Sequence, residues 1–403
     1  MKKSKLIFLT LVRIDSLDER GIYQDLLRQF VKNNYYVTII CPIERRFGEK
    51  TRIIRQENYE ILQVRTLNIQ KTSFIEKGLG TLLIEFQLFK AIRMFFKDQK
   101  YDVILYSTPP ITLIKPIAYL KEKGGITYLL LKDIFPQNAI DLNMMKSGGL
   151  LHRFFEKKEK ELYELSDYIG CMSEANKKFL ENHYNYLTDK KIEINPNSIE
   201  LIDLPPKNHT VLEKNGIPKN TLKLIYSGNL GIPQGISFLK DTLIEFKNNI
   251  NTFFIIVGGG TEENSLRGFI ENESFSNVKM IENLPKTEFD ELIVNCDIGL
   301  IFLDKRFTIP NFPSRLLSYL ENKLPVISAT DESTDIGLIL EQTNSGKAVL
   351  SGNISKMKEA VNYYIDCPEC LKNEGENGYN LLKTNFTADL SFNLIHQKVK
   401  ITD

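Results

Sequence analysis

Three polar constellations in this 403-residue chain could do chemistry on a phosphorylated ligand. The first is residues 307–328, which read as loop, helix, turn and strand. Asn311 and Phe312 lead into Pro313, a residue favoured at the first helical position, and Leu316, Leu317 and Leu320 follow at helical spacing. Backbone N–H groups from Ser314 onward would then face a loop, as at an anion site. Ser314 adds a hydroxyl, and Arg315 a guanidinium that can fork onto phosphate oxygens. Taken alone, the stretch reads first as an ordinary capped helix, and the rest of the chain has to decide. The second constellation is a pair of glycine turns, 227–235 (including Ser227-Gly228-Asn229) and Gly258-Gly259-Gly260, where a backbone without Cβ lets a ligand approach closely. The third is Lys132-Asp133-Ile134-Phe135-Pro136-Gln137. Its ionisable Asp133 follows a strand, where a helix cap is the plainer role.

These residues need α/β scaffolds to hold them. Residues 6–12 form a continuous apolar run, the mark of a buried parallel strand. Helix 20–33 and strand 36–41 complete a βαβ unit without the GxGxxG dinucleotide fingerprint. Further strands are expected at 60–66, 102–106, 126–131, 168–172 and 191–194, and Ser173 should cap helix 174–182. The Pro109-Pro110 loop and Asp133 both fall at carboxyl ends of strands, where ligands bind in open α/β sheets. The proline- and asparagine-rich segment 195–218 reads as a linker. A second series then begins, with strands at 222–226, 252–257, 278–281 and 297–303 and helices at 236–246, 262–269 and 287–295. The expected architecture is two Rossmann-like, doubly wound domains facing across a cleft, residues 1–200 and 201–385. The terminal helix within 386–403 packs back on the first.

Bulk composition sets limits. Hydrophobic residues make up 42% and charged residues 26%, as in globular chains, and a net charge of +1 gives no field that points to nucleic acid. No apolar run approaches the length of a membrane span, so a cytoplasmic protein, peripheral at most, is expected. Cys41, Cys171 and Cys296 lie in apolar runs as reduced core residues, and Cys367-Pro-Glu-Cys370 reads as a surface turn in a reducing compartment. His152, His183, His209 and His396 fall in no motif. Helix 74–96 is apolar over a wide surface that includes Lys90, Arg93 and Lys97, and residues 44–55 are rich in arginine. The helix suits packing against a sheet, and both stretches suit contact with an anionic membrane.

Together, Ser227-Gly228-Asn229, Gly258 to Gly260, the loop at Asn283 and Leu284, and the segment from Pro313 to Pro325-Val326-Ile327 resemble a GT-B glycosyltransferase, in particular family 4 of the retaining enzymes. Lys132 to Gln137 resembles the first-domain Asp-x-x-Pro segment of bacterial polysaccharide members, including acetylfucosamine transferases. The resemblance implies transfer of a sugar from a nucleotide-diphosphate donor, UDP by default, to a lipid-linked saccharide at the inner membrane face in capsule or O-antigen assembly. It implies donor contacts at Gly228, Asn229, Gly258, Gly259, Asn283, Leu284, Phe312, Ser314, Arg315 and Ser318, with Asp133 as the catalytic candidate. No cofactor or metal is expected. The two glutamates usual in the helix motif are replaced by Pro310 and Ser318, and Gln234 stands where a lysine is usual. Arg315 is then the best source of positive charge, with Lys305 and Arg306 behind it. A UDP-sugar 2-epimerase of the same fold and a non-catalytic nucleotide-sugar binder are the competing readings.

Overall fold

The computed structural model describes residues 3–69, 74–187, 191–282 and 284–400. The chain divides into one unit of Met1–Glu200 with Ala388–Asp403 and a second of Leu201–Thr387.

The first unit is built on an eight-stranded sheet: β1 (Ser4–Leu9), β2 (Tyr35–Glu44), β3 (Arg52–Arg55), β4 (Tyr59–Thr66), β5 (Val103–Ser107), β6 (Ile126–Leu130), β7 (Tyr168–Cys171) and β8 (Ile192–Ile194). Their order is β3-β4-β2-β1-β5-β6-β7-β8. All pairings are parallel except β3 with β4. Leu6, Ile7, Phe8 and Leu9 are fully buried, as expected of a strand covered on both faces. The chain leaves β1 toward β2 on one side and later returns as β5 on the other. That change of direction opens a crevice at the carboxyl ends of β1 and β5. The Ala388–Lys400 helix lies against the Ile22–Lys32 helix of the same unit. Phe392 meets Phe30 edge-on at 4.9 Å, and Ser391 Oγ donates to Asn195 Oδ1 at 2.6 Å.

The second unit has six parallel strands: β9 (Leu222–Ser227), β10 (Thr252–Val257), β11 (Val278–Ile281), β12 (Ile298–Phe302), β13 (Val326–Thr330) and β14 (Gly346–Leu350). The order β11-β10-β9-β12-β13-β14 puts the same reversal between β9 and β12. Strands β10 and β11 begin and end as the sequence predicts.

Several expectations change. The helix after Pro313 spans only Arg315–Glu321, with Ser314 at its N-cap, so Pro313 stands outside it. Proline bends the chain into a turn first: Leu316 N–H bonds Pro313 O at 3.2 Å and Leu317 N–H bonds Ser314 O at 3.1 Å. Helices Ile114–Lys121 and Ile336–Gln342 and the charged edge strand β3 were not anticipated. Cys367 and Cys370 form a disulfide where the Pro368–Asn385 helix begins, rather than a turn with free thiols. The tight spacing across the helix start brings their Cα atoms to 5.4 Å. Cys41, Cys171 and Cys296 are buried and free.

Candidate functional site

In the second unit the site grows from the end of β9, beside the reversal of strand order. Ser227 N–H donates to Tyr319 Oη at 3.0 Å, and Tyr319 Oη–H donates to Leu300 O at 3.1 Å. Tyr319 is fully buried in the middle of the Arg315–Glu321 helix, and burial pushes its phenol up to about 12. It is therefore a neutral donor at physiological pH, tying this helix to β9 and β12. Gly228 follows at φ +112° and Gly258 at φ +148°. A Cβ on Gly258 would fall 1.9 Å from Gly228 O, so the two loops pack backbone on backbone. Gly228 N–H bonds Val257 O at 2.8 Å and Leu230 N–H bonds Gly259 O at 3.0 Å, which fixes both loops. Gly228 and Asn229 are exposed, and Asn229 O accepts from Tyr226 Oη–H at 2.7 Å.

Arg315 lies directly under this turn. Its guanidinium carbon is 4.3 Å from the centre of the Tyr226 ring. Nη2 donates to Gln234 Oε1 at 2.5 Å and would lie 3.5 Å from a Cβ on Gly228. Nη1 is buried without a partner. An unsatisfied guanidinium nitrogen is costly, which marks a place for an acceptor. Ser314 is exposed beside it and makes no side-chain cap bond. Ser318 is one turn further along the same helix face, half-buried. Arg306 is committed to Asp304 by two 2.8 Å bonds and holds that carboxyl below its usual range.

Other predicted residues are placed differently. Phe312 is buried, its ring 5.8 Å from Phe386, so it anchors the loop rather than presenting a surface. Gly259 is half-buried beside Gly258, and Leu284 precedes the Lys286–Ile293 helix, half-buried. Asn283 lies outside the described residues. Asp331, absent from the predicted set, organises the turn after β13 that holds Asn311. Its Oδ1 accepts from the N–H groups of Ser333 and Thr334, both at 2.9 Å, and its Oδ2 from Thr334 Oγ1 at 2.9 Å. Thr334 Oγ1 in turn accepts Asn311 N–H at 3.1 Å. Asp-Glu-Ser-Thr directly after a strand is a side-chain-to-backbone turn signal that could have revealed it.

In the first unit, Thr10, Ser107, Thr108 and Asp133 gather at the carboxyl ends of β1, β5 and β6. Ser107 Oγ donates to Thr10 Oγ1 at 3.1 Å, and Lys132 N–H donates to Thr108 Oγ1 at 3.0 Å. Asp133 keeps accessible surface but is raised to about 6 by loss of hydration. It caps no helix, since Gln137–Asp141 starts from Pro136 without a side-chain cap. Beside it, Tyr23 is buried. Burial and the Asp133 charge push its phenol up to about 12. Lys132, lowered to about 7 by burial, bonds Asn195 O at 3.3 Å.

The outer side of the Phe74–Phe95 helix is also distinctive. Ile84, Leu88 and Ile92 pack inward, whereas Leu82, Leu83, Phe86 and Met94 are exposed. Among the described residues, Lys90, Arg93 and Lys97 have no acidic partner on that surface. By contrast, Arg45, Arg46, Arg52 and Arg55 are paired with Glu76, Glu44, Glu49 and Glu60.

Comparison with known proteins bears on the fold and the class of enzyme. Over 335 residues the chain is 20% identical to the probable glycosyltransferase WbjE of Pseudomonas aeruginosa, covering 77% of this chain and 80% of the relative. The structure of Anabaena HepE with UDP superposes with a TM-score of 0.68 at 13% identity, covering 98% of this chain and 99% of that one. WaaG, described as a glycosyltransferase involved in lipopolysaccharide biosynthesis, does so with 0.65 at 13% identity and the same coverage. The fold is that of the GT-B glycosyltransferases. Residues 208–381 match the family described as glycosyl transferases group 1, and the chain is a glycosyltransferase carrying that domain.

Proposed function

We propose that this enzyme transfers a hexosyl or N-acetylhexosaminyl group from a nucleotide-diphosphate sugar, UDP-linked by preference, to a lipid-linked saccharide in surface polysaccharide assembly, with retention of configuration. The observation that carries this reading is Arg315, whose buried Nη1 has no partner beneath the Gly228–Asn229 turn. In the reaction the bond from the anomeric carbon to the diphosphate breaks and an acceptor oxygen bonds that carbon. Charge builds on the leaving diphosphate, and donors already fixed in place stabilise it. Arg315, the Ser314 hydroxyl and the backbone N–H of exposed Asn229 are assigned to that task, on a turn that the Gly228–Val257 bond holds in place. Because Arg315 supplies the charge, the reaction needs no metal or cofactor. Asp133, with a carboxyl near 6, is assigned to holding or accepting the proton of the acceptor hydroxyl.

UDP as donor nucleotide is supported by its presence in the HepE structure, and a polysaccharide setting by the description of WaaG. The exposed apolar and basic side of the Phe74–Phe95 helix supports peripheral contact with an anionic membrane on the cytoplasmic face, where a lipid-linked acceptor would lie.

The test is incubation with a panel of nucleotide-sugars and lipid-linked saccharides, read by mass spectrometry. One donor should release its nucleoside diphosphate while the acceptor gains one sugar. Folded enzyme that releases nucleoside diphosphate from no donor, with any acceptor, contradicts the proposal.

A further inference from the structure

Gln234 stands 81 residues before Arg315 in the chain and touches its guanidinium directly. We infer that Gln234 is a positioning residue that fixes Arg315 for the diphosphate while leaving its charge intact; this rests on the donor reading above.

Two contacts set the guanidinium plane. The Tyr226 ring supports one face at 4.3 Å, and Gln234 Oε1 takes Nη2 at 2.5 Å. A flexible arginine so held loses less freedom when it binds. Nη1, on the same planar fork, is left buried and unpartnered. The plane fixed by Tyr226 and Gln234 therefore also fixes where Nη1 can donate.

Gln234 can do this because its own backbone is pinned. It ends the Ile232–Gln234 turn, and its N–H bonds Gly231 O at 3.0 Å. Pro233 O accepts Asp304 N–H at 3.0 Å, which fastens the turn to the loop after β12. Gly235 then starts the Ile236–Glu245 helix.

The side-chain chemistry at this position is specific. A carboxylate would bond the guanidinium as well as an amide does but would cancel its charge and compete with the incoming anion. An ammonium would repel the guanidinium and could not accept from it. The amide accepts the bond and stays neutral, so Arg315 keeps its full charge for a dianionic ligand.

The test is calorimetric titration of uridine, UMP and UDP into the full chain and into Gln234→Ala, Gln234→Glu and Arg315→Ala, each checked for an unchanged melting profile. Wild type should prefer UDP to uridine. Gln234→Ala should lose about threefold to tenfold in UDP affinity, and Gln234→Glu more, about tenfold or above, with uridine unaffected in both. In an Arg315→Ala background, Gln234→Ala should cost nothing further. Steady-state rates on a UDP-sugar should show the Gln234→Ala defect in kcat as well as in KM, since a misaimed guanidinium stabilises the leaving group poorly.

Unchanged UDP affinity in both Gln234 variants overturns the inference and leaves the donor site standing. Equal losses for uridine and UDP overturn it too, because they mark a general structural defect. Wild type with no preference for UDP over uridine removes the diphosphate site itself, and the inference with it.

Discussion

Tyr319 receives the Ser227 N–H at 3.0 Å and donates to Leu300 O at 3.1 Å, so one buried phenol joins the Arg315–Glu321 helix to the ends of two strands. This seven-residue helix is too short to hold its own position, and Tyr319 holds it. Tyr319→Phe keeps the ring but strands the Ser227 N–H. It should lower unfolding free energy by about 1–3 kcal/mol in a urea titration and weaken UDP binding by displacing Arg315. Unaltered stability would show that the helix is placed by packing alone.

Two glycines should respond oppositely to alanine. Gly258→Ala puts a Cβ 1.9 Å from Gly228 O at φ +148°, and no movable side chain relieves that clash. A loss of about 2–4 kcal/mol or failure to fold is expected. Gly268, inside the Glu263–Glu273 helix, has open space around it. Gly268→Ala should gain about 0.5–1 kcal/mol. Thermal melts of the two variants check both signs.

Asp133 gives a pH signature. If its ionised form handles the acceptor proton, kcat/KM should rise as pH increases through about 6, the value to which lost hydration raises it. Asp133→Asn should abolish that limb and reduce turnover by about a hundredfold or more. Stability moves the other way. The folded carboxyl ionises less readily than the unfolded one, so wild type loses stability as pH rises from about 4 to about 6. Asp133→Asn lacks that loss, and at pH 7 it should melt no lower than wild type. A lower melting temperature for the variant at pH 7 would contradict this assignment.

Membrane contact predicts a salt-sensitive association. Vesicles containing anionic lipid should bind the protein at low salt and release it at high salt. Phe86→Glu with Arg93→Glu should abolish binding without affecting turnover on a water-soluble acceptor analogue. Wild type that ignores anionic vesicles at low salt would refute the surface assignment.

Much of the scaffold was legible in the sequence because parallel strands buried on both faces leave continuous apolar runs. The run of β10, buried at every position, shows it to the residue. β3 was hidden because an edge strand of Arg-Ile-Ile-Arg carries no such run. The Ile114–Lys121 helix was hidden by Pro116, which reads as a breaker but sits in the first turn, where no N–H is needed. The glycine turns were legible as turns from residue type and order. The contact between Arg315 and Gln234 was not, since only the parallel pairing of β9 beside β12 brings positions 234 and 315 together. Asp331 escaped because its work is done on backbone N–H groups, and Phe312 was assigned to ligand because burial cannot be read from a single aromatic in a loop.

If Arg315 alone neutralises the leaving group, divalent cations are dispensable. Turnover should be the same with excess EDTA as with added magnesium. A loss of about tenfold or more on chelation would require a metal that the proposed mechanism leaves out.

The most direct measurement is the UDP affinity of Arg315→Ala by calorimetry, with uridine as control. Loss of the charge-assisted bond should weaken UDP by about 2–3 kcal/mol, near 30-fold to 150-fold, with uridine unchanged. A folded variant that binds UDP as tightly as wild type would contradict the placement of the diphosphate at Arg315.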